Sequence, residues 1–357
     1  MTSLSNYNQN AETSYPNLKH IDIELTRDCN LDCIHCSTGL SMQGNELSVS
    51  YIEKVLQEAK TLGLEAVGFT GGEPFLRVEK LIGLVDFCKN EMSLPIHIHS
   101  NGTMISQKQA EWVKQSQVSI TISLFGSEPR THDAITKTTG SMKSTLCGLR
   151  NLVDVNADLA VFIVPMKSNY QEIPSLLKLV SEEGIRHVRI LSLSPTGRAM
   201  CRYAELGLSD EQVSSLGRKL VKIQKETDLD LRAGFCTRLD FPELEVLKGH
   251  ERCFAAENRI HIDAFGNVFP CTASSGRMIF SVGNLQRPNC SLTDIWQVSP
   301  LFQFLRKFHS SPPEKCKKCT RFQNCMSGCR VKMSYEYGDV TVANPQCGGP
   351  YLMRQRG

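Results

Sequence analysis

Cysteine spacing constrains the fold of this chain more than any other feature of its sequence. Ten of the fifteen cysteines fall into two blocks, and the front block has the spacing C-x3-C-x2-C. A 4Fe-4S cluster takes one thiolate per iron, so three thiolates leave one iron open to a ligand that is not protein. Zinc also uses closely spaced cysteines and stays open as an alternative on spacing alone. The front cysteines are Cys29, Cys33 and Cys36, and the back cysteines are Cys253, Cys271, Cys316, Cys319, Cys325, Cys329 and Cys347.

A glycine-rich turn follows the front cysteines. In LEAVGFTGGEPFLR the apolar run from Ala66 to Thr70 predicts a strand. Glycines at a strand end let a ligand approach the backbone closely. The turn residues are Gly71, Gly72, Glu73 and Pro74.

The two motifs together resemble the signature of the radical S-adenosylmethionine (SAM) superfamily. The resemblance implies that the open iron chelates the amino and carboxylate groups of SAM, and that the GGEP turn binds the methionyl amino group. It also implies the reaction. Electron transfer from the cluster cleaves SAM to a 5'-deoxyadenosyl radical, which abstracts a hydrogen atom from the substrate.

Four further residues are candidates for SAM contacts on the same resemblance. Ser100 and Asn101 in HIHSNGT and Ser123 in ISLFG lie where the family commonly contacts the SAM ribose or carboxylate. Their alternative role is ordinary turn chemistry, since Ser, Asn and Gly are frequent at strand ends. Lys137 lies where relatives place a basic residue against the SAM carboxylate, although this chain has no arginine there.

The back block resembles the SPASM extension of radical SAM enzymes, which holds two auxiliary 4Fe-4S clusters. The extension is named after enzymes that mature subtilosin, pyrroloquinoline quinone, anaerobic sulfatases and mycofactocin. The back cysteines follow its pattern, with C-x12-G-x4-C first and C-x2-C-x5-C-x3-C after it. A pair of structural zinc sites is the alternative for this block. The resemblance implies one cluster on Cys316, Cys319, Cys325 and Cys347, and another on Cys253, Cys271 and Cys329, with Cys236 or a group outside the protein as its fourth ligand.

Strand and helix patterns alternate between residues 18 and 193. Such β/α units predict a parallel, right-handed α/β sheet with helices outside. This sheet resembles the partial (β/α)6 barrel of radical SAM proteins, and parallel barrels carry their chemistry at the C-terminal strand ends. The predicted strands span 20–25, 66–70, 95–100, 118–124, 158–164 and 187–193. We expect an extended or disordered N-terminus (1–17), the barrel (18–205), a linking helix N-capped by Ser209 (206–230) and a small cysteine-rich SPASM domain that binds two iron-sulfur clusters (231–357).

Barrel-facing polar residues are the candidates for substrate chemistry. By the two-residue period, Asp22 shares a strand face with Glu24, and His97 shares one with His99. Arg189 projects from the sixth strand. An oxidation needs an acceptor for the proton that the substrate radical loses, and an inward-facing base would supply it. The alternative is a satisfied ionic layer that fills the barrel, because buried charges are normally paired.

Several cysteines fall outside the ligand patterns. Cys88 and Cys147 lie in helical stretches, where we expect them to be buried packing residues. Cys201 follows the PTGRAM turn near the barrel mouth and is a candidate hydrogen-atom donor for a redox-neutral epimerisation. Arg198 in the same turn is interpreted as a solvated or salt-bridged residue.

Composition agrees with an enzyme of a reducing compartment. The net charge of +3 and the lack of a basic stripe interleaved with aromatic residues argue against a nucleic-acid partner. No apolar run is long enough to span a bilayer. The N-terminus lacks the basic start and apolar core of a signal peptide, so the expected location is cytoplasmic.

The sequence therefore predicts a SAM-dependent radical oxidoreductase with three 4Fe-4S clusters and a flavodoxin- or ferredoxin-type electron donor. A ribosomally made peptide that receives a crosslink or an oxidation is the first substrate class, with the auxiliary clusters as electron acceptors. No N-terminal winged-helix peptide-recognition domain fits before residue 20, so a separate protein would present the peptide. The alternative is a small substrate such as an aminosugar or cyclitol that is dehydrogenated or epimerised. A non-catalytic metal-binding or electron-carrier protein is the third possibility.

Overall fold

A single sheet organises the part of the chain that the computed structural model describes, which comprises residues 15–38, 44–233, 253–319 and 322–344. Its strands are β1 (His20–Glu24), β2 (Ala66–Thr70), β3 (Ile96–Ser100), β4 (Ser119–Ser123), β5 (Asp158–Ile163), β6 (His187–Ile190), β7 (Asp230–Ala233), β8 (Arg259–Ile262), β9 (Asn267–Phe269) and β10 (Gly283–Asn284). Their order in the sheet is β10-β9-β8-β1-β2-β3-β4-β5-β6-β7. The six strands predicted from the sequence are confirmed, and β7 extends the parallel series.

Helices connect the parallel strands and cover one face of the sheet. Ser48 caps the first of them by accepting a hydrogen bond from the Tyr51 amide. The helix predicted to begin after Ser209 is present, and Ser209 and Gln212 form a capping box at its start. It leads into the parallel strand β7, and its role as a link between two domains stays a prediction. The helices are α1 (Val49–Thr61), α2 (Val78–Asn90), α3 (Gln107–Gln115), α4 (Pro129–Thr136), α5 (Ser141–Asp154), α6 (Ile173–Glu182), α7 (Gly197–Leu206), α8 (Asp210–Glu226), α9 (Leu292–Val298), α10 (Pro300–Ser310), α11 (Phe322–Cys325) and α12 (Arg330–Tyr337).

The strands separate apolar from polar side chains by their two-residue period. In β1, Ile21 and Ile23 are buried in the core that the helices cover. Asp22 and Glu24 alternate with them and therefore lie on the opposite face. The same alternation in β3 buries Ile96 and Ile98 and leaves the histidines between them on the polar face. The interior of the partial barrel is therefore lined with polar groups, as its sequence predicts.

The back segment joins the barrel through its first strand. β8 pairs in parallel with β1, so that His261 lies opposite Asp22. β8 and β9 form an antiparallel pair, and β10 continues the sheet beyond β9. The hairpin that lies between Cys253 and Cys271 is thus part of the same sheet as the barrel strands. The domain limits derived from the sequence remain predictions.

Two predictions on free cysteines have different outcomes. Cys88 is buried within α2, as expected. The prediction for Cys147 is wrong, because this residue is exposed. It lies on α5 away from the side that buries Leu149 and Leu152. In the described ranges, no helix is both long and apolar enough to cross a membrane.

Two helical glycines give a matched test of this packing. A Cβ at Gly148 in α5 would lie 2.1 Å from the Gly102 carbonyl oxygen, whereas a Cβ at Gly83 in α2 would meet nothing within 4 Å. We expect Gly148→Ala to lower the free energy of unfolding by about 1–3 kcal/mol, because the loop after β3 must move. Gly83→Ala should raise it by up to about 1 kcal/mol. Urea unfolding of both variants measures the difference, and equal effects would contradict the packing described.

Candidate functional site

The front cysteine loop begins directly after β1 and is held by backbone hydrogen bonds. The Asp32 amide donates to the Thr136 carbonyl at 3.0 Å, and the Ile34 amide donates to the Ile135 carbonyl at 2.9 Å. The end of α4 therefore fixes the loop between its first and last cysteines. Within this loop Cys29 is exposed, and the other two cysteines are half-buried.

The start of α7 holds the other side of the loop. Arg198 donates to the Cys33 carbonyl at 3.0 Å and forms an ion pair with Asp32 at 2.7 Å. Its interpretation as a salt-bridged residue is confirmed, although it lies in a helix rather than in a turn. Gly197 has a φ of +54°, and a Cβ there would lie 2.3 Å from the Cys36 carbonyl oxygen. Only glycine allows the helix to approach the cysteine loop this closely.

The GGEP turn lies against the same loop. The Gly72 amide donates to the Thr26 carbonyl, and the Glu73 amide donates to the Asp28 carbonyl, both at 2.8 Å. A Cβ at Gly72 would lie 2.0 Å from the Asp28 carbonyl oxygen. The turn after β2 and the loop after β1 are therefore in direct backbone contact, next to Cys29.

Glu73 connects this turn to the end of β3. Its carboxylate is fully buried and accepts hydrogen bonds from the Ser100 hydroxyl, the Asn101 amide and the Phe75 amide at 2.8, 2.8 and 3.1 Å. Burial raises the pKa of Glu73 to about 6, and these hydrogen bonds oppose the increase. Ser100 is thus engaged with Glu73, while the Asn101 side chain donates to Cys29 Sγ at 3.8 Å.

The donor set of the front loop fits a thiolate-ligated cluster. Desolvation raises the pKa values of Cys33 and of Cys29, which is exposed but lies against the loop, and the neighbouring cysteines raise them further. The three thiols therefore lie within electrostatic range of one another. Cys29 Sγ also accepts from the Leu31 amide at 3.4 Å. Amide donors of this kind stabilise thiolate ligands. In the described ranges, no group of three His, Cys, Asp or Glu side chains converges as a site for a single metal ion.

The remaining two SAM candidates lie at the same edge of the sheet. Ser123 is the last residue of β4. Lys137 is exposed and caps the C-terminus of α4 in the left-handed conformation, directly after the two carbonyls that hold the cysteine loop. Both remain candidates, because no contact of either residue with SAM has been tested.

Three back cysteines lie within electrostatic range of one another although they are far apart in sequence. Cys253 precedes β8, Cys271 follows β9, and Cys329 precedes α12. Burial raises the pKa of Cys253 to about 11 and that of Cys271 to about 12, and the Cys329 thiol contributes to both increases. These residues are the ones predicted for the first auxiliary cluster. Their candidate fourth ligand, Cys236, lies outside the described residues.

The other predicted cluster ligands occupy one short segment. Cys316 accepts a hydrogen bond from the Ser327 hydroxyl at 3.1 Å, and the Cys319 amide donates to the Cys316 carbonyl at 3.0 Å. Cys325 ends α11, a single helical turn. The fourth predicted ligand, Cys347, lies outside the described residues, so this set is only partly visible.

A buried ionic network links the front loop to the back hairpin. Glu24 is fully buried, and its carboxylate accepts from His261 Nε2 at 2.9 Å and from the Ser275 hydroxyl at 2.8 Å. Arg27 pairs with Glu24 at 2.8 Å and with Asp263 at 3.3 Å. Burial acts to raise the pKa of Glu24, but its partners outweigh this and lower it. The sequence pattern singled out Glu24 and missed its partners in the network.

The interior histidines differ in the hydrogen bonds that their ring nitrogens form. His97 is hydrogen-bonded through Nδ1 to Ser119 at 2.6 Å and through Nε2 to Thr121 at 2.8 Å. His99 packs edge-on against His97, with 4.4 Å between ring centroids. Burial lowers the pKa of His99 to about 4, so this imidazole is neutral near pH 7.

A hydrogen-bonded carboxylate next to these rings belongs to the same interior layer. Asp22 accepts from His20 Nε2 at 3.0 Å and from the Thr272 hydroxyl at 3.1 Å. A paired layer of this kind is the alternative that the sequence left open for Glu24, and the contacts of Glu24 and His97 fit it.

Arg189 borders this layer, because burial and its charge both lower the pKa values of His97 and His99, whereas Cys201 lies on α7. The Arg189 guanidinium is exposed and lies 5.9 Å from the centroid of the Phe162 ring. Cys201 is exposed on α7, three residues after Arg198. These contacts do not assign a chemical role to Arg189 or Cys201, and both remain candidates for substrate chemistry.

Comparisons with known proteins agree with this geometry. The sequence profile of the Radical SAM superfamily matches residues 23–180, and that of the SPASM iron-sulfur cluster-binding domain matches residues 253–320. An AdoMet-dependent heme synthase of Methanosarcina barkeri is 25% identical over an alignment of 362 positions. The alignment covers 94% of this chain and 97% of the relative. The mycofactocin maturase MftC of Mycobacterium tuberculosis is 27% identical over 341 residues, which cover 93% and 84%.

A solved structure has the same fold. Streptococcus suis SuiB bound to precursor peptide SuiA has a TM-score of 0.73 and 21% identity, and the match covers 94% of this chain and 76% of SuiB. At this identity the likeness concerns the fold alone.

Burial of a histidine behind the cysteine loop gives a pH prediction. His132 is 1% exposed, its Nδ1 accepts from the Phe125 amide at 3.2 Å, and burial lowers its pKa from 6.5 to about 4. Between those pH values the unfolded chain binds a proton that the folded chain excludes. The free energy of unfolding should therefore fall as the pH is lowered from 6.5 to 4, by up to about 1.4 kcal/mol per pH unit for this group.

His132→Asn keeps an acceptor for the Phe125 amide and does not titrate. We therefore expect a shallower decrease of stability with pH for this variant than for the natural chain. Anaerobic urea unfolding between pH 7.5 and 5 measures both slopes. Identical slopes would exclude the contribution of His132.

Proposed function

Because the chain belongs to the radical SAM enzymes that carry a SPASM domain, we propose that it abstracts a hydrogen atom from a ribosomally synthesised peptide and completes a crosslink or an oxidation. The observation that carries this proposal is the direct backbone contact between the GGEP turn and the loop of Cys29, Cys33 and Cys36. A SAM molecule bound to both would have its methionyl group and the cluster at one edge of the sheet.

The cluster ligands in this proposal are the cysteines named from the sequence. Cys29, Cys33 and Cys36 hold the SAM-binding cluster, which when bound supplies the electron for reductive cleavage of SAM. The chain carries additional iron-sulfur clusters in its SPASM domain. We assign the first to Cys253, Cys271 and Cys329 with Cys236, and the second to Cys316, Cys319, Cys325 and Cys347.

The residues around the front loop have separate roles in SAM binding. Gly71, Gly72 and Pro74 shape a turn without bulky side chains beside the cysteine loop. Glu73 and Ser100 act through each other, since the Ser100 hydroxyl donates to the Glu73 carboxylate. Ser123 and Lys137 are the side chains left to contact SAM itself. Asn101 stays a candidate, although its side chain already donates to Asn30 and accepts from Thr103. Asn101 also donates to Cys29 Sγ and so orients the first cluster ligand.

Proton removal from the substrate radical requires a base at the barrel interior. The Glu24 carboxylate is buried and hydrogen-bonded to its partners, and both ring nitrogens of His97 form hydrogen bonds. His99 is the candidate acceptor among these groups, because its ring is half-buried and neutral at pH 7, although its lowered pKa of about 4 makes it a weak base. Arg189 is positively charged and suits substrate binding rather than proton removal.

Peptide modification is supported by the names of two relatives. MftC is a maturase, and SuiB was solved with a precursor peptide. A second candidate is a small-molecule substrate, since the heme synthase of M. barkeri aligns with this chain over 97% of its own length. For the peptide function we further propose a separate peptide-recognition protein, and for either function a flavodoxin- or ferredoxin-type electron donor.

Removal of the front ligands tests the cluster assignment. Replacing Cys29, Cys33 and Cys36 together by Ala should abolish reductive SAM cleavage and leave roughly eight iron atoms per chain, because two auxiliary clusters remain. Cys147→Ala is the control, since this exposed cysteine lies outside the ligand sets. Iron and sulfide analysis after anaerobic reconstitution gives the count. Retained cleavage in the triple variant, or zinc in place of iron, would refute the assignment.

Isotope transfer tests the substrate class. A peptide encoded next to this gene is synthesised with deuterium at its side-chain and α carbons and incubated with the reduced enzyme and SAM. We expect deuterium in 5'-deoxyadenosine by mass spectrometry, because the radical abstracts hydrogen from the peptide. Unlabelled 5'-deoxyadenosine with the peptide, together with transfer from a deuterated small molecule, would favour the second candidate.

A further inference from the structure

Arg330 is a buried cation within electrostatic range of both sets of back cysteines. It is the first residue of α12, directly after Cys329, and is 5% exposed. Its guanidinium lies 4.4 Å from the centroid of the Phe308 ring. Burial lowers the pKa of Arg330, whereas four thiols from both sets oppose this decrease. These thiols belong to Cys329, Cys253, Cys325 and Cys316.

Neutral groups satisfy the hydrogen bonds of this guanidinium but do not balance its charge. In the described ranges no carboxylate oxygen lies within 4.0 Å of it. Asp339 lies within electrostatic range of Arg330, but its carboxylate is exposed and accepts a hydrogen bond from the Thr341 amide. The acceptors are the carbonyls of Ser327 at 2.5 Å, Gly328 at 3.0 Å, Val340 at 3.0 Å and Val342 at 2.7 Å.

The backbone that surrounds Arg330 is strained. Met326, Ser327 and Gly328 have φ values of +49°, +60° and +90°, three left-handed residues in succession. Two of these are not glycine, so the conformation persists only where contacts enforce it. It directs the carbonyls of Ser327 and Gly328 to the guanidinium and the Ser327 hydroxyl to Cys316 Sγ. The segment between Cys325 and Cys329 is thus folded around one positive charge.

Among the described residues the Arg330 guanidinium has no carboxylate partner, and a buried charge without a counter-charge is costly, so this arrangement calls for an anion. Thiolate-ligated clusters are anionic, and each one-electron reduction adds a further negative charge. Net charge and hydrogen bonding around a cluster set its reduction potential. A fixed guanidinium beside both ligand sets therefore favours the reduced form of each cluster.

We propose that Arg330 is the shared counter-charge of the two auxiliary clusters and raises the reduction potential of both. The inference rests on the ligand assignment under the proposed function. When bound, an oxidised auxiliary cluster would supply the acceptor for the one electron that the substrate radical loses, and a basic group would take the proton. The oxidised form of a flavodoxin- or ferredoxin-type protein would then take this electron. Arg330 acts through the clusters and is a positioning residue rather than a catalytic one.

Redox titration of the reconstituted full-length chain tests this role. The charge is removed in Arg330→Gln and retained in Arg330→Lys. Lys332→Gln is the matched control, because it removes one positive charge from the same helix, where Lys332 pairs with Glu336 at 3.3 Å. Cluster reduction is followed by electron paramagnetic resonance at fixed potentials. The signal that changes when SAM is added belongs to the front cluster and is set aside.

We expect Arg330→Gln to lower the ratio of reduced to oxidised auxiliary cluster at least about tenfold, which for a one-electron couple corresponds to about 59 mV. The Lys variant and Lys332→Gln should titrate like the natural chain. Unchanged potentials in Arg330→Gln with a full iron count would overturn the proposal, as would equal shifts in the Gln and Lys variants.

Iron analysis separates this proposal from the ligand assignment. Fewer than roughly eight auxiliary iron atoms in the otherwise natural chain would refute the assignment itself. Loss of iron in Arg330→Gln but not in Arg330→Lys would support the counter-charge. Loss in both variants would show that the hydrogen bonds of the guanidinium, rather than its charge, hold the segment, and would overturn the proposal.

Discussion

The buried carboxylate of Glu24 is the interaction on which the relation between the two halves of the site depends. It ends β1, where the front cysteine loop begins, and it binds His261 and Ser275 of the back segment. Arg27 extends the network to Asp263 and to the Thr38 carbonyl. Removing one partner from a buried ion pair costs about 3–5 kcal/mol, so the network is a strong constraint. The front cysteine loop and the hairpin between Cys253 and Cys271 therefore extend from the same sheet.

Burial and metal chemistry are coupled at two of the predicted ligand sets, the front loop and the first auxiliary set. The fold raises the pKa values of Cys29, Cys33, Cys253 and Cys271 chiefly by burial. Metal ligation requires thiolates, so cluster assembly at these sites releases protons and is coupled to folding. Positive groups lie next to both regions, with Arg198 at the front loop and Arg330 at the back.

Local signals allowed the sequence to predict much of this architecture. The apolar runs marked the first six strands, and Ser209 marked the start of α8, because strand alternation and helix capping depend on neighbouring residues. The pairing of β8 with β1 has no such signal, since the two strands are more than two hundred residues apart. Cys147 was misjudged for a related reason. A helical pattern does not reveal which side of the helix lies against the core until the packing partners are known.

The sequence by itself determined the cysteine sets, the GGEP turn and the series of parallel strands, because spacing and periodicity are written along the chain. Only the tertiary structure decided how polar side chains pair. In the folded chain the Ser100 hydroxyl donates to Glu73, and Glu24 is hydrogen-bonded to His261. Both ring nitrogens of His97 form hydrogen bonds, one with Ser119 and one with Thr121. Such pairings depend on which strands become neighbours, and a hydrogen bond is specific to within a few tenths of an ångström. Residue spacing carries no information at that scale.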